Sequence, residues 1–419
     1  MERLNHELPD STTIRELCEE YKRNNVITKE EYEHNRVKRG LRNADGTGVM
    51  AGLTHVCNVH GYLIADGDKI PDKGELTYRG INIEDIVRGC DAENRFGFEE
   101  VAWLLIFGHL PTRSQYEGFS RLLFENRELP EYFPEDMIIK APSKNIMNKL
   151  ARSVLALYSY DDSPDDLSLE NNMRQSISLI ARMPSIMSYA YQVKRRHFDR
   201  ESMFFHPYEP DHATAEAILN ALRPDRKFTH QEAKLLDLLM VLHAEHGGAN
   251  HQVRMMMDDL MAHVERWDDE DEVEAYLEKI LRGEAADGSG LIYGMGHAIY
   301  TLSDPRAVIL KERAQCLAEE KGFGEKLRLY ETVERLSPAA FRKVTGKDKV
   351  ISANVDFYSG LVYEMLGIPE DLFTPMFAVS RIAGWCAHRI EELTTGGRIM
   401  RPAYRALPVD QKYVPLDER

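Results

Sequence analysis

Three histidines, His243, His246 and His251, crowd around the Gly-Gly step of LHAEHGGANHQV, and His297 follows two glycines in GMGHAIYTLSDPRA. Histidine titrates near neutral pH and also ligates metals, so such a cluster invites both chemistries. A zinc site would use His243 and His246, three residues apart on one helical face, with Glu245 beside them. That spacing departs from HExxH, whose ligands lie four apart with Glu after the first, and His251 would have to reach back across the glycines. Metal ligation, a structural role and organic acid-base catalysis are the three readings, and the spacing argues for catalysis with no metal.

Other residues extend that chemistry. Gly294 and Gly296, flanking Met295, let the backbone approach a ligand closely. In Asp304-Pro305-Arg306 the arginine places a planar fork where a carboxylate would bind; the plainer reading is a turn with a capping aspartate and a surface arginine. Asp356 lies among apolar and small residues in NVDFYSG, either as a partly buried base with a raised pKa or as a helix N-cap. Arg381, Arg398, Arg401 and Arg405 form either a solvated basic tail or a clamp for a second carboxylate. Together these groups describe a dicarboxylate held by arginines, a histidine on its carbonyl, and an aspartate that deprotonates a carbon acid.

The elements that must position these groups are mainly helical. A hairpin is expected over 55–70, broken at Asp66-Gly67. Helices are expected over 98–111, with Val101, Leu104, Leu105 and Phe107 on one face and a stop at Gly108 and Pro111, and over 176–195, interrupted or kinked at Pro184. Its buried stripe would be Leu179, Ile180, Met183, Met187 and Tyr191. Thr229 and Glu232 read as a capping box, and Val253, Met256, Met257, Leu260, Met261 and Val264 as a core stripe. The acidic run 267–279 reads as a solvated loop leading into a helix. At 419 residues the chain suggests two domains. A net charge of −16 argues against nucleic acid and anionic membranes as partners. The five cysteines are scattered without a CxxC pair, and the acidic N-terminus lacks an apolar segment, which fits a cytoplasmic protein.

The ordered boxes LTYRGINIEDI, FEEVAWLLIFGHLPT, LIARMPSIMSYAY, LHAEHGG, HGGAN, GMGHAIYTLSDPRAVILKERA, NVDFYSGLVYEMLGIP, FAVSRIAGWCAHRIEEL and RIMRPAYR resemble the citrate synthase family along nearly the whole chain. The resemblance implies an all-α, two-domain architecture: a large domain of about 1–250 plus 368–419 with the oxaloacetate site and dimer contacts, and a small domain, 251–367, with the coenzyme A site and the catalytic aspartate. It implies that His297 polarises the oxaloacetate carbonyl, Asp356 takes the methyl proton of acetyl-CoA, and a histidine of HGGAN, here His246, stabilises the enol. Arg306, Arg381 and Arg401 would bind the oxaloacetate carboxylates, Arg401 from the partner subunit of a homodimer. Coenzyme A enters as a thioester cosubstrate, with no permanently bound cofactor, against Gly294, Met295, Gly296 and Asn354; Lys347 and Lys349 are either its phosphate partners or ordinary surface charge.

The family carries two histidine boxes, whereas this chain carries one. Its left flank, LLDLLMVLHAEHGG, is similar to the first, and its right flank, HGGANHQVRMMMDDL, to the second. An in-frame loss between two HGG repeats accounts for this; it removes one of the two histidines, and His246 cannot fill both roles. Rival readings are a 2-methylcitrate synthase using propionyl-CoA, which one methylene of pocket space distinguishes by about 1–3 kcal/mol, and a catalytically inactive relative.

Overall fold

In the computed structural model the described residues are 11–25, 27–35, 48–50, 52–66, 68–246 and 250–396. The Gly247-Gly248-Ala249 step and Arg398, Arg401 and Arg405 lie outside them. The chain divides into two units, residues 1–53 and residues 54–419. The first holds α1 (Ser11–Asn25) and α2 (Lys29–Asn35).

The second unit opens with β1 (Cys57–Ala65) and β2 (Asp68–Tyr78), an antiparallel pair extended by the short β3 (Ile81–Asn82). The expected hairpin is present, with Asp66 at φ +52° in its connection, and its second strand runs on to Tyr78. The register shifts between His60 and Tyr62, where a bulge turns the strand.

Helices then follow without further strands among the described residues: α3 (Ile83–Ala92), α4 (Phe98–Phe107), α5 (Arg113–Glu125), α6 (Ile146–Ala156), α7 (Leu169–Lys194), α8 (Thr214–Leu222), α9 (His230–His243), α10 (Asn250–His263), α11 (Glu270–Leu281), α12 (Pro305–Glu320), α13 (Gly324–Thr345), α14 (Val355–Met365) and α15 (Phe373–Thr395). Local chemistry sets several ends. Gly108 closes α4 in the left-handed region, and Thr229 and Glu232 form the reciprocal capping box of α9. Asp269 caps α11, so only 267–269 of the acidic run precede the helix and 270–279 are helical, not loop. No described helix is long and apolar enough to cross a membrane.

Three details depart from the periodicity. Phe107 ends α4 at the surface, while Phe98, Ala102 and Ile106 join Val101, Leu104 and Leu105 inside, so α4 is enclosed on nearly every side. The helix through Pro184 starts earlier, at Leu169, because Ser168 caps it. Within it Ile180, Met183 and Met187 are buried, whereas Leu179 and Tyr191 are only partly so. The stripe on α10 is in the core as expected, through Val253, Met256, Met257 and Leu260.

Candidate active site

The end of α9 meets α15 at very short range. The Gly384 N–H donates to the Ala244 carbonyl at 3.0 Å, and a Cβ on Gly384 would sit 2.5 Å from that oxygen and 3.1 Å from the Glu245 Cα. Only glycine permits this approach, which sets Arg381 and His388 of α15 beside the His243–His246 turn. Gly384→Ala is expected to destabilise the fold by about 1–3 kcal/mol, since backbone must move to admit the methyl group. Denaturant unfolding checks this; a loss well under 1 kcal/mol would mean that the two helices part easily.

The three histidines of the opening stretch do not converge. His243 is fully buried, its ring 4.8 Å from that of Phe377, and neither ring nitrogen has a hydrogen-bond partner among the described residues. Burial, followed by the charges of Arg306 and Arg381, holds its pKa well below the ordinary value, so the ring stays neutral. His251 faces Glu370 at 3.2 Å. His246 turns toward Tyr300, whose hydroxyl lies 3.3 Å from Nε2, and its Nδ1 lies 3.2 Å from Glu245 Oε2, off the line of a straight hydrogen bond. Burial and then Arg306 lower its pKa, while Glu245 pulls the other way.

His297 lies across from His246, with ring centroids 6.0 Å apart and Tyr300 touching both. Its Nδ1 accepts the backbone N–H groups of Ile299 and Tyr300, each at 3.1 Å. A nitrogen that accepts carries no hydrogen, so Nε2 is the N–H donor of this ring. The segment that bears it is pinned to the hairpin: Thr301 donates its hydroxyl to the Gly61 carbonyl and accepts from the Asp72 N–H at 3.1 Å. On its other flank Gly296 N–H donates to Ser352 O at 2.7 Å, and Asn354 joins Gly294 O and Gly296 O at 2.9 Å each. Met295 bridges Ala353, and Gly294 sits at φ +78° with Val253 and Phe357 against its Cα.

Arg306 is not a surface arginine. Its side chain and that of Asp304 are both 0% exposed. Asp304 caps α12 through the Arg306 N–H at 3.0 Å and accepts from Arg306 Nε at 3.0 Å and Nη2 at 2.8 Å. Its Oδ2 also takes the Val355 N–H at 3.1 Å, so one carboxylate joins the starts of α12 and α14. Arg306 Nη1 donates to the His246 carbonyl. Three of its five N–H groups are thereby engaged. Burial pushes the Asp304 carboxyl up, but the Arg306 charge and these hydrogen bonds hold it below the ordinary value.

Arg381 is buried on α15, donates from Nε to the His243 carbonyl at 3.0 Å, and stacks on Phe377 at 4.6 Å. Burial pulls its pKa down to about 10. Asp356 is buried in the first turn of α14 and is not its cap: the Asn354 side chain accepts the Asp356 N–H at 3.0 Å. Its charge is felt at Arg381 and Tyr363. Lys347 and Lys349 are exposed beyond α13. Arg401 lies outside the described residues.

The structure thus brings His246, His297, Arg306 and Arg381 together around the end of α9, with Asp356 within electrostatic reach of Arg381. Sequence reasoning placed Glu245 beside the histidines but missed Tyr300 as their neighbour, and it missed Asp304 as the partner of Arg306. The signal for Asp304 stood in the Asp-Pro-Arg order itself, since a capping carboxylate two residues before an arginine can reach both its amide and its guanidinium.

Histidine, arginine and aspartate side chains clustered in the interior of a helical fold mark the candidate site of an enzyme. The family profile described as citrate synthase, C-terminal domain, matches residues 44–257 and 245–403. The citrate synthase of Haloferax volcanii is 31% identical, covering 83% of this chain and 94% of the relative; the 2-methylcitrate synthase of Shewanella oneidensis is 28% identical over 82% and 92%. The crystal structure of citrate synthase from Pyrobaculum aerophilum superposes with a TM-score of 0.68 at 26% identity, over 88% of this chain and 94% of that one. The chain belongs to the citrate synthase family, whose enzymes transfer acyl groups.

Proposed function

We propose that this chain condenses acetyl-CoA with oxaloacetate and hydrolyses the product to citrate and coenzyme A, at a rate lowered by a missing internal segment. The carrying observation is the pairing of a neutral N–H donor on His297 with two buried arginines, a set that suits a dicarboxylate with a carbonyl between its anionic ends. Asp356 takes a methyl proton from the thioester, and His246 offers hydrogen to the thioester oxygen as charge develops there. A thioester methyl is a very weak carbon acid, so a carboxylate base works only with such a donor in place. The enol carbon then bonds to the oxaloacetate carbonyl carbon, and His297 Nε2–H steadies the new alkoxide. Water cleaves citryl-CoA to citrate and the free thiol. Gly294, Met295, Gly296 and Asn354, with Lys347 and Lys349, are assigned to coenzyme A, and Arg401 to the partner copy of a homodimer. Closure of a small domain, 251–367, onto 1–250 and 368–419 excludes water until the carbon bond has formed.

Two observations support the missing segment. Residues 245–257 fall inside both matches to one family profile, so a single stretch resembles two successive stretches of the family. The alignment with the Haloferax relative spans 393 positions while covering only 83% of this chain, so positions of the relative face no residue here. His246 then stands where the family has a histidine for each substrate. An inactive relative is the second reading that the same overlap favours, and the match to a 2-methylcitrate synthase keeps propionyl-CoA as the alternative acyl donor.

Release of free thiol from acetyl-CoA, with and without oxaloacetate, tests the activity; a folded chain that gives no oxaloacetate-dependent release is an inactive relative. Propionyl-CoA serves as the comparison donor. Splicing the relative's intervening segment between Gly247 and Gly248 is expected to raise the rate about a hundredfold or more, the usual worth of one oxyanion donor. An unaltered rate in a folded insert would mean that His246 alone suffices.

A further inference from the structure

Behind His246 lies a second cluster that the proposed reaction leaves unused. Cys57 at the start of β1, Glu245 after α9 and His388 on α15 bring one ligand atom each to within 4.8 Å of one another. His388 Nε2 is 3.0 Å from Glu245 Oε1. Its other nitrogen, Nδ1, faces Glu391 Oε2 at 3.8 Å. A metal-ligating histidine commonly has a carboxylate on its far nitrogen, which fixes the tautomer and strengthens the ligand. Glu391 is itself anchored, accepting from the His55 N–H and the Thr54 hydroxyl at 2.7 Å each.

We propose that Cys57, Glu245 and His388 bind a thiophilic divalent cation of the zinc class, and that its binding draws Glu245 away from His246. Thiolate, imidazole and carboxylate together suit zinc, and three protein ligands leave a fourth position for water. Glu245 is already ionised. Burial pushes its carboxyl up, but its contacts with His246, His388 and Cys57 outweigh that and hold it below the ordinary range. The thiol is the group that must change: burial and the Glu245 charge now keep Cys57 protonated, and binding releases its proton to solvent as the sulfur–metal bond forms. His388 is partly exposed, which gives the cation a way in. Binding stands on this geometry alone; its effect on turnover rests on the role proposed for His246.

The test uses the full chain with Cys18 and Cys316, both exposed, changed to serine. Cobalt(II) titration is expected to give a thiolate-to-metal charge-transfer band that saturates at one equivalent, and zinc is expected to displace it. Cys57→Ser should abolish the band, and His388→Gln should weaken zinc at least tenfold in competition with a chromophoric indicator. Circular dichroism confirms that each variant is folded, with Cys57→Ala as a second sulfur-free form. Absence of the band, or its persistence in both Cys57 variants, overturns the site. Zinc should also slow coenzyme A release reversibly by chelator in the parent and not in Cys57→Ser; zinc bound at one equivalent without slowing would separate the cation from His246 and refute that coupling.

Discussion

Asp356→Asn is expected to lower oxaloacetate-dependent release of coenzyme A by about a hundredfold to ten-thousandfold, the range for loss of a positioned general base. The amide is nearly isosteric, so its melting midpoint should stay close to the parent's. The helix start does not depend on this residue, because Asn354 holds the cap. Asp356 sits instead in the first turn, where the positive end of α14 favours a carboxylate. Asn354→Ala should instead lower the melting midpoint and, because Asn354 is assigned to coenzyme A, raise the KM for acetyl-CoA while kcat falls far less. It removes the cap, worth about 1 kcal/mol, and the contact with the Gly296 carbonyl at 2.9 Å, yet leaves the base in place. Steady-state kinetics beside thermal melts of the two variants give the comparison. Equal kinetic losses would mean that Asp356 acts through the backbone of α14 and not through its oxygens.

What the sequence disclosed and what it hid follow from distance along the chain. The turn near Asp66, the stop at Gly108, the Thr229–Glu232 box and the start of α11 are written within four or five residues, and each stands in the structure where local chemistry puts it. The burial of Arg306 is not local. Nothing in SDPRA distinguishes a surface guanidinium from one at 0% exposure; that depends on the His246 carbonyl, on Tyr300 and on the start of α14 arriving from elsewhere. The same holds for Cys57, Glu245 and His388, which meet only because Gly384 lets α15 close on the end of α9. The single HGG box lies between these cases: its two flanks are legible side by side, and residues 245–257 fall inside both matches to the family profile.

This geometry concentrates much of the site on one pair of charges. Arg306 holds the His246 turn through its carbonyl, and Asp304 holds Arg306 while it orders the helix that carries Asp356. Loss of the pair therefore reaches the His246 turn and the start of α14 at once.

Asp304→Ala is accordingly expected to destabilise the fold by about 3–5 kcal/mol, the cost of leaving a buried charge without its partner. Two helix starts lose their acceptor in the same step, since Asp304 takes the amides of Arg306 and Val355. Replacing both members, as Asp304→Ser with Arg306→Met, should recover most of that loss: serine still caps α12 and no charge is left unpaired. It should not recover turnover, because the arginine proposed to bind an oxaloacetate carboxylate is then gone. The pH dependence has a defined sign. The folded carboxyl lies below its ordinary value of 3.8, so the pair's contribution is complete well above that pH and fades as the pH falls through and below it. Denaturant unfolding at neutral pH and at pH near 3 reads both effects. A single variant that loses less than about 1 kcal/mol would show that another anion or water satisfies Arg306, and that the pair does not organise the site.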